Sequence, residues 1–246
     1  MNWPAKAQTL GQLIGKSELH KQAVRYLEAN RAPVGVACSG GLDSVSALLL
    51  IYCHFHDLRS RLYVIHFNHK IRGVESDEDE AFTRDLAASL GLPFFQATWT
   101  SNESGKSVSE AQARKARHEF YDSFLEKHPG AILITGHQQE DILENLLLKL
   151  ARSSNLTGLS APRPVQTFDS GKVIVRPLLS LRKSRLEEAL RQSEIPWRED
   201  CTNLENHFDR NRLRNIVIPA WENATQFDLF QAAERVRTYL EEADEV

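Results

Sequence analysis

Short apolar runs alternate with longer segments of helical period along most of the chain. Residues 34–38, 62–67, 93–99 and 131–135 have the length and composition of buried strands. Between and after them, residues 44–54, 77–90, 107–127 and 140–152 carry apolar side chains three and four positions apart, which predicts crossover helices. The resulting β-α-β-α-β-α-β-α order predicts an α/β protein with a doubly wound, mostly parallel sheet. Gly91 and Gly130 follow two of these helices, where a C-terminal turn favours a residue without a Cβ.

Past Arg152 the pattern breaks. Residues 153–171 are rich in Ser, Pro, Thr and Gly and read as one long loop. Residues 173–175 read as a further strand and 182–193 as a helix. Residues 227–242 read as a last helix with Phe230, Val236 and Leu240 facing inward. The expected division is a helical lead-in over 1–30, a main α/β domain over 31–220 and a short C-terminal helix and tail over 221–246.

Composition narrows the class. With 246 residues, 41% of them hydrophobic, the chain is long enough to bury one good core. No run approaches the roughly 20 apolar residues of a membrane span, and the opening residues lack the charged-then-apolar order of a secretory signal. A cytoplasmic protein with no membrane partner is expected. Cys38, Cys53 and Cys201 form no C-x-x-C pair, so neither a zinc site nor a disulfide framework is expected. A net charge of −3 gives no global pull toward nucleic acid, so any RNA contact has to come from local clusters. Arg176, Arg182, Lys183 and Arg185 form one such cluster, and Arg210, Arg212 and Arg214 another. Acidic neighbours such as Glu187, Glu188 and Glu199 leave solvated helix faces as the alternative reading.

The segment Ser39-Gly40-Gly41-Leu42-Asp43-Ser44 follows the first strand and opens a helix. Its backbone N–H groups therefore gather where the helix dipole is positive, and paired glycines let that backbone approach an anion closely. The two serines add hydroxyl donors. Asp43 would repel phosphates unless a divalent cation lay between, which points to magnesium. The loop lacks the lysine of a G-x-x-x-x-G-K-[ST] P-loop and the spacing of G-x-G-x-x-G. A tight strand-to-helix turn with a Ser/Asp cap is the competing, purely structural reading.

The loop resembles that of the N-type ATP pyrophosphatases, a PP-loop superfamily with an adenine nucleotide alpha hydrolase-like fold. Four further segments resemble one branch of it, the tRNA(Ile)-lysidine synthetases, over about residues 31–220. They are the run from His66-Phe67-Asn68-His69-Lys70-Ile71-Arg72 to Phe82, Ser109–Arg117 with its E-x-x-A-R element, residues 135–144, and residues 155–214 with Arg176, Arg182, Arg210, Arg212 and Arg214. Taken alone, these residues have plainer readings. Asp77 and Asp79 suit a helix start, Glu110 and Arg114 have ion-pair spacing, and Asp141 and Glu144 suit a helix N-terminus. The family pattern T-G-H-H-x-D-D-x-x-E-T is altered here at Gln138, Glu140 and Asn145, while His137, Asp141 and Glu144 match.

The resemblance implies ATP and Mg2+ as cofactors, with L-lysine and the CAU-anticodon tRNA-Ile as partners; it also allows a homodimer. Lysine would be joined to C2 of the wobble cytidine through an adenylated tRNA, releasing AMP and pyrophosphate. It assigns Ser39, Gly40, Gly41, Leu42, Asp43, Ser44, His66, Asn68 and Arg114 to the nucleotide, with Asp43 on the metal. Asp43, His137, Asp141 and Glu144 are the implied catalytic residues. His69, Arg72, Asp141, Glu144, Arg176, Arg182, Arg210, Arg212 and Arg214 are assigned to lysine or tRNA. Asp141, Glu144 and His137 all stay open as the group that takes the amine proton. A related enzyme using another amine or sulfur, or a non-catalytic nucleotide- or RNA-binding module, is the alternative.

Overall fold

The computed structural model describes residues 1–99, 110–199 and 209–244. Five parallel strands and one antiparallel strand make a single sheet. β1 (Val34–Ala37), β2 (Leu62–Asn68), β3 (Phe94–Thr98), β4 (Ile132–Ile134), β5 (Val165–Thr167) and β6 (Val173–Val175) lie in the order β3-β2-β1-β4-β6-β5. Val34 of β1 pairs in register with Leu62 on one side and Ile132 on the other. β1 is apolar and buried because it has sheet neighbours on both edges and helices on both faces, as central parallel strands do.

Helices cover both faces. One carries α1 (Trp3–Leu13), α3 (Leu42–His54), α4 (Val74–Ser89) and α8 (Lys183–Gln192), which share the main core with Leu10, Leu48, Leu86 and Leu190. α2 (Lys21–Ala29) adds Ala23 and Leu27 to that core. α5 (Glu110–Lys127) covers the other face through Phe120 and Phe124, which pack on Ile65, Leu133 and Ile174. α3 is buried on every side from Ser44 to Ile51, as a helix made of small and apolar residues all round is when other elements enclose it. The crossovers from β1 to β2 and β3 run one way and β4 lies on the other side of β1, so the strand order reverses between β1 and β4. A crevice opens outside the carboxyl ends of the strands at such a point.

Two expectations are corrected. The predicted loop over 153–171 contains α7 (Leu156–Leu159) and the edge strand β5, which pairs antiparallel with β6. α7 forms because the Asn155 side chain accepts the Gly158 N–H at 3.0 Å, a cap rather than a periodic apolar stripe. In α11 (Leu229–Asp244), Val236 is exposed; Leu229, Phe230, Ala233, Arg237 and Glu241 form the buried stripe instead. α6 (Gln139–Ala151), α10 (Ile218–Ala224) and α11 share a smaller core of Ile142, Leu143, Leu179, Ile218 and Phe230. No helix among the described residues is long and apolar enough to cross a membrane. Residues 107–109 of the predicted third helix, and Cys201 with the rest of 200–208, lie outside the described residues.

Candidate functional site

Ser39–Ser44 wraps the start of α3 at the strand-order reversal. Gly40 has φ +91°, a left-handed conformation that a side chain would strain. Ser44 Oγ is the hub: it accepts the Ser39 N–H at 3.1 Å, donates to Gly41 O at 2.9 Å and lies 3.2 Å from Ser39 Oγ. Gly41 is the N-cap residue and brings no side chain to cap α3, so the first-turn N–H groups keep their affinity for an outside anion.

Asp43 lies in that first turn, and its Oδ1 is buried with no hydrogen-bond partner. Burial, and after it the charge of Asp141, pushes its carboxyl up from 3.8 to about 7. A divalent cation would satisfy such an atom. Among the described residues no group of three His, Cys, Asp or Glu side chains could hold a metal, so an ion here would complete its shell with other oxygens, such as phosphate and water.

Gly136, just after β4, presses on this turn. A Cβ there would sit 2.7 Å from the Asp43 carbonyl carbon and oxygen and 3.0 Å from Ser44 N. Both sides of the contact are backbone, so relief requires moving the loop. Gly136→Ala is therefore expected to cost about 2–3 kcal/mol in urea unfolding and to weaken nucleotide binding in the same variant.

The fourth-strand segment brings His137, Asp141 and Glu144 to the same crevice. Thr135 Oγ1 lies 2.8 Å from His137 Nδ1. Burial, then the charges of Arg176 and Arg210, hold the His137 imidazole far below its usual range, so it is neutral and a poor proton acceptor. Asp141 is 7% exposed and Glu144 1%. Two arginines converge on them. Arg210 reaches Glu144 Oε2 with Nε at 2.7 Å and Asp141 Oδ1 with Nη2; Arg214 grips Glu144 bidentately at 2.6 and 2.9 Å. Arg210 and Arg214, expected on lysine or tRNA, are thus turned onto the acid pair. Arg212 instead pairs with Asp209 and is exposed.

The three departures from the family pattern have local structural work. Gln138 caps α6, its Oε1 accepting the Glu140 N–H at 2.7 Å while Asp141 Oδ2 accepts the Gln138 N–H at 2.8 Å. Glu140 accepts the Lys183 N–H at 3.0 and 3.1 Å, which satisfies the start of α8, where Arg182 supplies no side-chain cap. Asn145 Nδ2 donates to Ala161 O at 2.6 Å and pins the connection after α7. None of them displaces Asp141 or Glu144 from the crevice.

The β2 end is more internally bonded than the sequence implies. Asn68 Nδ2 donates to Asp77 Oδ1 and Glu80 Oε2, both at 2.9 Å, and its Oδ1 accepts the Lys70 N–H. His66 lies 2.8 Å from Cys38 O through Nδ1, and its buried Nε2 has no partner. His69, whose buried Nδ1 has none either, sits edge-on to Phe67 and Trp99. Burial, then Arg117, lowers it to about 4. Arg72 binds Asp79 at 2.5 Å. Arg114 is exposed on α5. Arg182 spreads over Glu140, Glu222 and Asp228 at 3.3–3.4 Å and lies 3.7 Å over the Phe230 ring, so it ties α11 to the domain.

Arg198 carries a role that spacing does not reveal. Its N–H donates to Gly40 O at 2.9 Å, and its guanidinium binds Asp79 and Glu78, each at 2.7 Å. Arg198→Ala leaves Asp79 with Arg72 alone and is expected to lower stability by about 1–2 kcal/mol in urea unfolding. The Ser39–Ser44 backbone bond to residue 198 survives that substitution, so nucleotide affinity should fall less than in Gly136→Ala.

The glycine-rich loop at the strand-order reversal, on this sheet, defines a PP-loop protein, and the PP-loop domain family matches residues 15–221. Its sequence relatives include the tRNA(Ile)-lysidine synthases of Solibacter usitatus, 37% identical over 85% of this chain and 46% of that protein, and of Chlorobaculum tepidum, 33% identical over 92% and 67%. A third, the tRNA(Ile)-lysidine synthase of Geobacter sulfurreducens, is 37% identical over 76% of this chain and 39% of its own length. The chain belongs to the tRNA(Ile)-lysidine synthase family of PP-loop proteins. It spans under half the length of the first and third of these relatives. Among solved structures, the U34-tRNA thiolase NcsA from Methanococcus maripaludis with its [4Fe-4S] cluster shares the fold, with a TM-score of 0.65 at 15% identity over 96% of this chain and 78% of that one.

Proposed function

We propose that this protein uses ATP to adenylate the C2 oxygen of the wobble cytidine in the CAU-anticodon tRNA-Ile and then joins L-lysine to that carbon. The observation that carries the reading is the placement of Asp43 beside Asp141, close enough for Asp141 to raise the Asp43 carboxyl, with Glu144 joined to Asp141 through Arg210 and Arg214. A nucleotide site and a cation-binding acid pair thereby share one crevice. Family membership supports the same reading.

The chemistry follows from leaving groups. An amide-like C2 oxygen leaves poorly, so its attack on the α-phosphorus of ATP, with loss of pyrophosphate, turns it into part of a good leaving group. The lysine ε-nitrogen then forms the bond to C2, and the C–O bond breaks as AMP departs. The α3 N–H groups, the loop serines and Arg114 would face the phosphates. Asp43 would hold magnesium, which neutralises phosphate charge.

Asp141 and Glu144 would receive the lysine ammonium once a guanidinium yields its place. Lysine at neutral pH is almost wholly protonated, since its ordinary pKa is about 10.4, so a base has to take one proton. The depressed basicity of His137 favours a carboxylate of the pair for that step. Arg212, exposed and the most available of the second cluster, would lie toward the RNA, since Arg72 and Arg182 are engaged with acids of the fold. The test is turnover with ATP, magnesium, L-lysine and the tRNA transcript. A tRNA heavier by one lysine less one water supports the reading. AMP release without that gain assigns a different nucleophile, and no turnover assigns a binding module.

A further inference from the structure

Arg176, just after β6, is 7% exposed, and its guanidinium is near enough to His137 and Asp141 for their charges to interact. Among the described residues one acceptor aims it. Nη1 donates to Arg163 O at 2.7 Å, while the buried Nε has no partner. The Arg176 backbone N–H donates to Pro164 O at 2.8 Å, so two successive carbonyls of the connection between α7 and β5 hold this residue.

That connection has little backbone bonding to hold it. Pro162 and Pro164 flank Arg163 and carry no N–H, so side chains have to fix the turn. Asn145 of α6 pins Ala161 O at 2.6 Å. The second anchor is the side chain of Arg163 itself, which reaches Ser160 Oγ with Nε at 3.1 Å and Nη2 at 2.9 Å and pairs through Nη2 with Asp244 Oδ2. Asp244 is the last residue of α11, 81 positions along the chain, and its Oδ1 accepts the Thr157 hydroxyl at 2.9 Å. The paired side chains of Arg163 and Asp244 are only 17% and 19% exposed, so solvent screens them less than an open surface pair. We propose that Asp244 is a positioning residue: by anchoring the Arg163 side chain, it fixes the carbonyl that aims Arg176 at the crevice. The C-terminal helix thereby acts on the site without touching substrate.

The kinetic test rests on the function proposed above and uses the full chain with ATP, magnesium, L-lysine and the tRNA transcript. Arg176→Gln should raise one KM, for lysine or for tRNA. Asp244→Ala should raise that same KM about 5- to 10-fold and leave kcat and KM for ATP within about twofold, with Asp244→Glu restoring part of the loss. Arg163→Met breaks the pair from its other end and should match Asp244→Ala. Combining Arg176→Gln with Asp244→Ala should be no worse than Arg176→Gln alone, because the influence of Asp244 ends at Arg176. Losses that multiply in the double variant, or an Asp244→Ala defect spread over kcat and every KM, would show plain structural support and overturn the proposal. An Arg176→Gln variant with every constant intact would overturn it too. Absence of any lysine product in wild type strikes instead at the function, and amide exchange then decides the positioning role. Exchange of the Arg176 N–H should quicken about 5- to 10-fold in Asp244→Ala and Arg163→Met while the β1 amides stay unchanged. An unmoved Arg176 amide, or quickening shared equally by β1, would contradict the role.

Discussion

Asp43→Asn is expected to abolish AMP formation while raising the stability of the ligand-free protein by about 2–4 kcal/mol at about pH 8. The two effects have one cause. The Asp43 carboxyl is buried, lacks a partner at Oδ1 and faces Asp141, and its pKa rises from 3.8 to about 7. An acid whose folded pKa exceeds its unfolded value is held by the fold in its neutral form. Its contribution to stability is complete below about pH 4 and is lost as pH rises through about 7. Above that the wild type carries a poorly solvated carboxylate and the amide does not. The full shift corresponds to about 4 kcal/mol, reduced because the new amide N–H groups must also find partners. Urea unfolding from about pH 4 to about pH 8 should show the wild type losing ground to the variant across that window. Parallel pH curves would mean that Asp43 is not destabilised. Magnesium with ATP should then stabilise the wild type and leave the variant unmoved.

Glu144→Ala is expected to end lysine transfer, keep tRNA-dependent pyrophosphate release, and cost about 2–4 kcal/mol of stability. Glu144 is 1% exposed and accepts three hydrogen bonds from Arg210 and Arg214. Its removal leaves two guanidiniums crowded against Asp141 alone. Their side chains are 39% and 29% exposed, so water recovers part of the loss, and the estimate sits below that for a wholly buried pair. Glu144→Gln should fall between wild type and alanine in stability while transferring no lysine, because the amide cannot neutralise an ammonium. Equal loss of pyrophosphate release and lysine transfer would place Glu144 in the first step and contradict the division of labour.

The features legible in the sequence were those set by local periodicity or short-range geometry. The runs of β1, β2 and β4 are mostly apolar because both faces are covered, and the Ser39–Ser44 loop reads directly because its glycines and serines act within six residues. What stayed hidden depends on distant partners. Glu140 looks like a substitution in a motif until Lys183 is seen to donate to it, and Asn145 until Ala161 O is found beside it. β5 is three residues with no central apolar side chain, held by pairing with β6. The α11 stripe misled because Arg237 and Glu241 are buried as an ion pair at 2.5 Å, so two of its inward positions are charged and no hydropathy pattern marks them. Arg176 and Arg182 both read as basic surface, yet one is buried without an anion and the other bridges three acids and an aromatic ring.

The acid pair also explains why ligand-free geometry need not be reactive geometry. Arg210 and Arg214 neutralise Asp141 and Glu144 and hold them in place before a substrate cation arrives. Exchange of a guanidinium for an ammonium would keep the charge balance of the crevice, so the proposed lysine would enter without leaving a buried carboxylate unpaired.

The most direct test of activation followed by displacement is a chase. The protein is mixed with magnesium, ATP labelled at the α-phosphorus and the CAU-anticodon tRNA-Ile transcript, without lysine; unlabelled ATP and L-lysine are then added together. Label should first appear bound to the tRNA and then pass to free AMP as lysine is incorporated, one AMP for each lysine. Label that never becomes bound to tRNA, with lysine incorporated all the same, would contradict the two-step account.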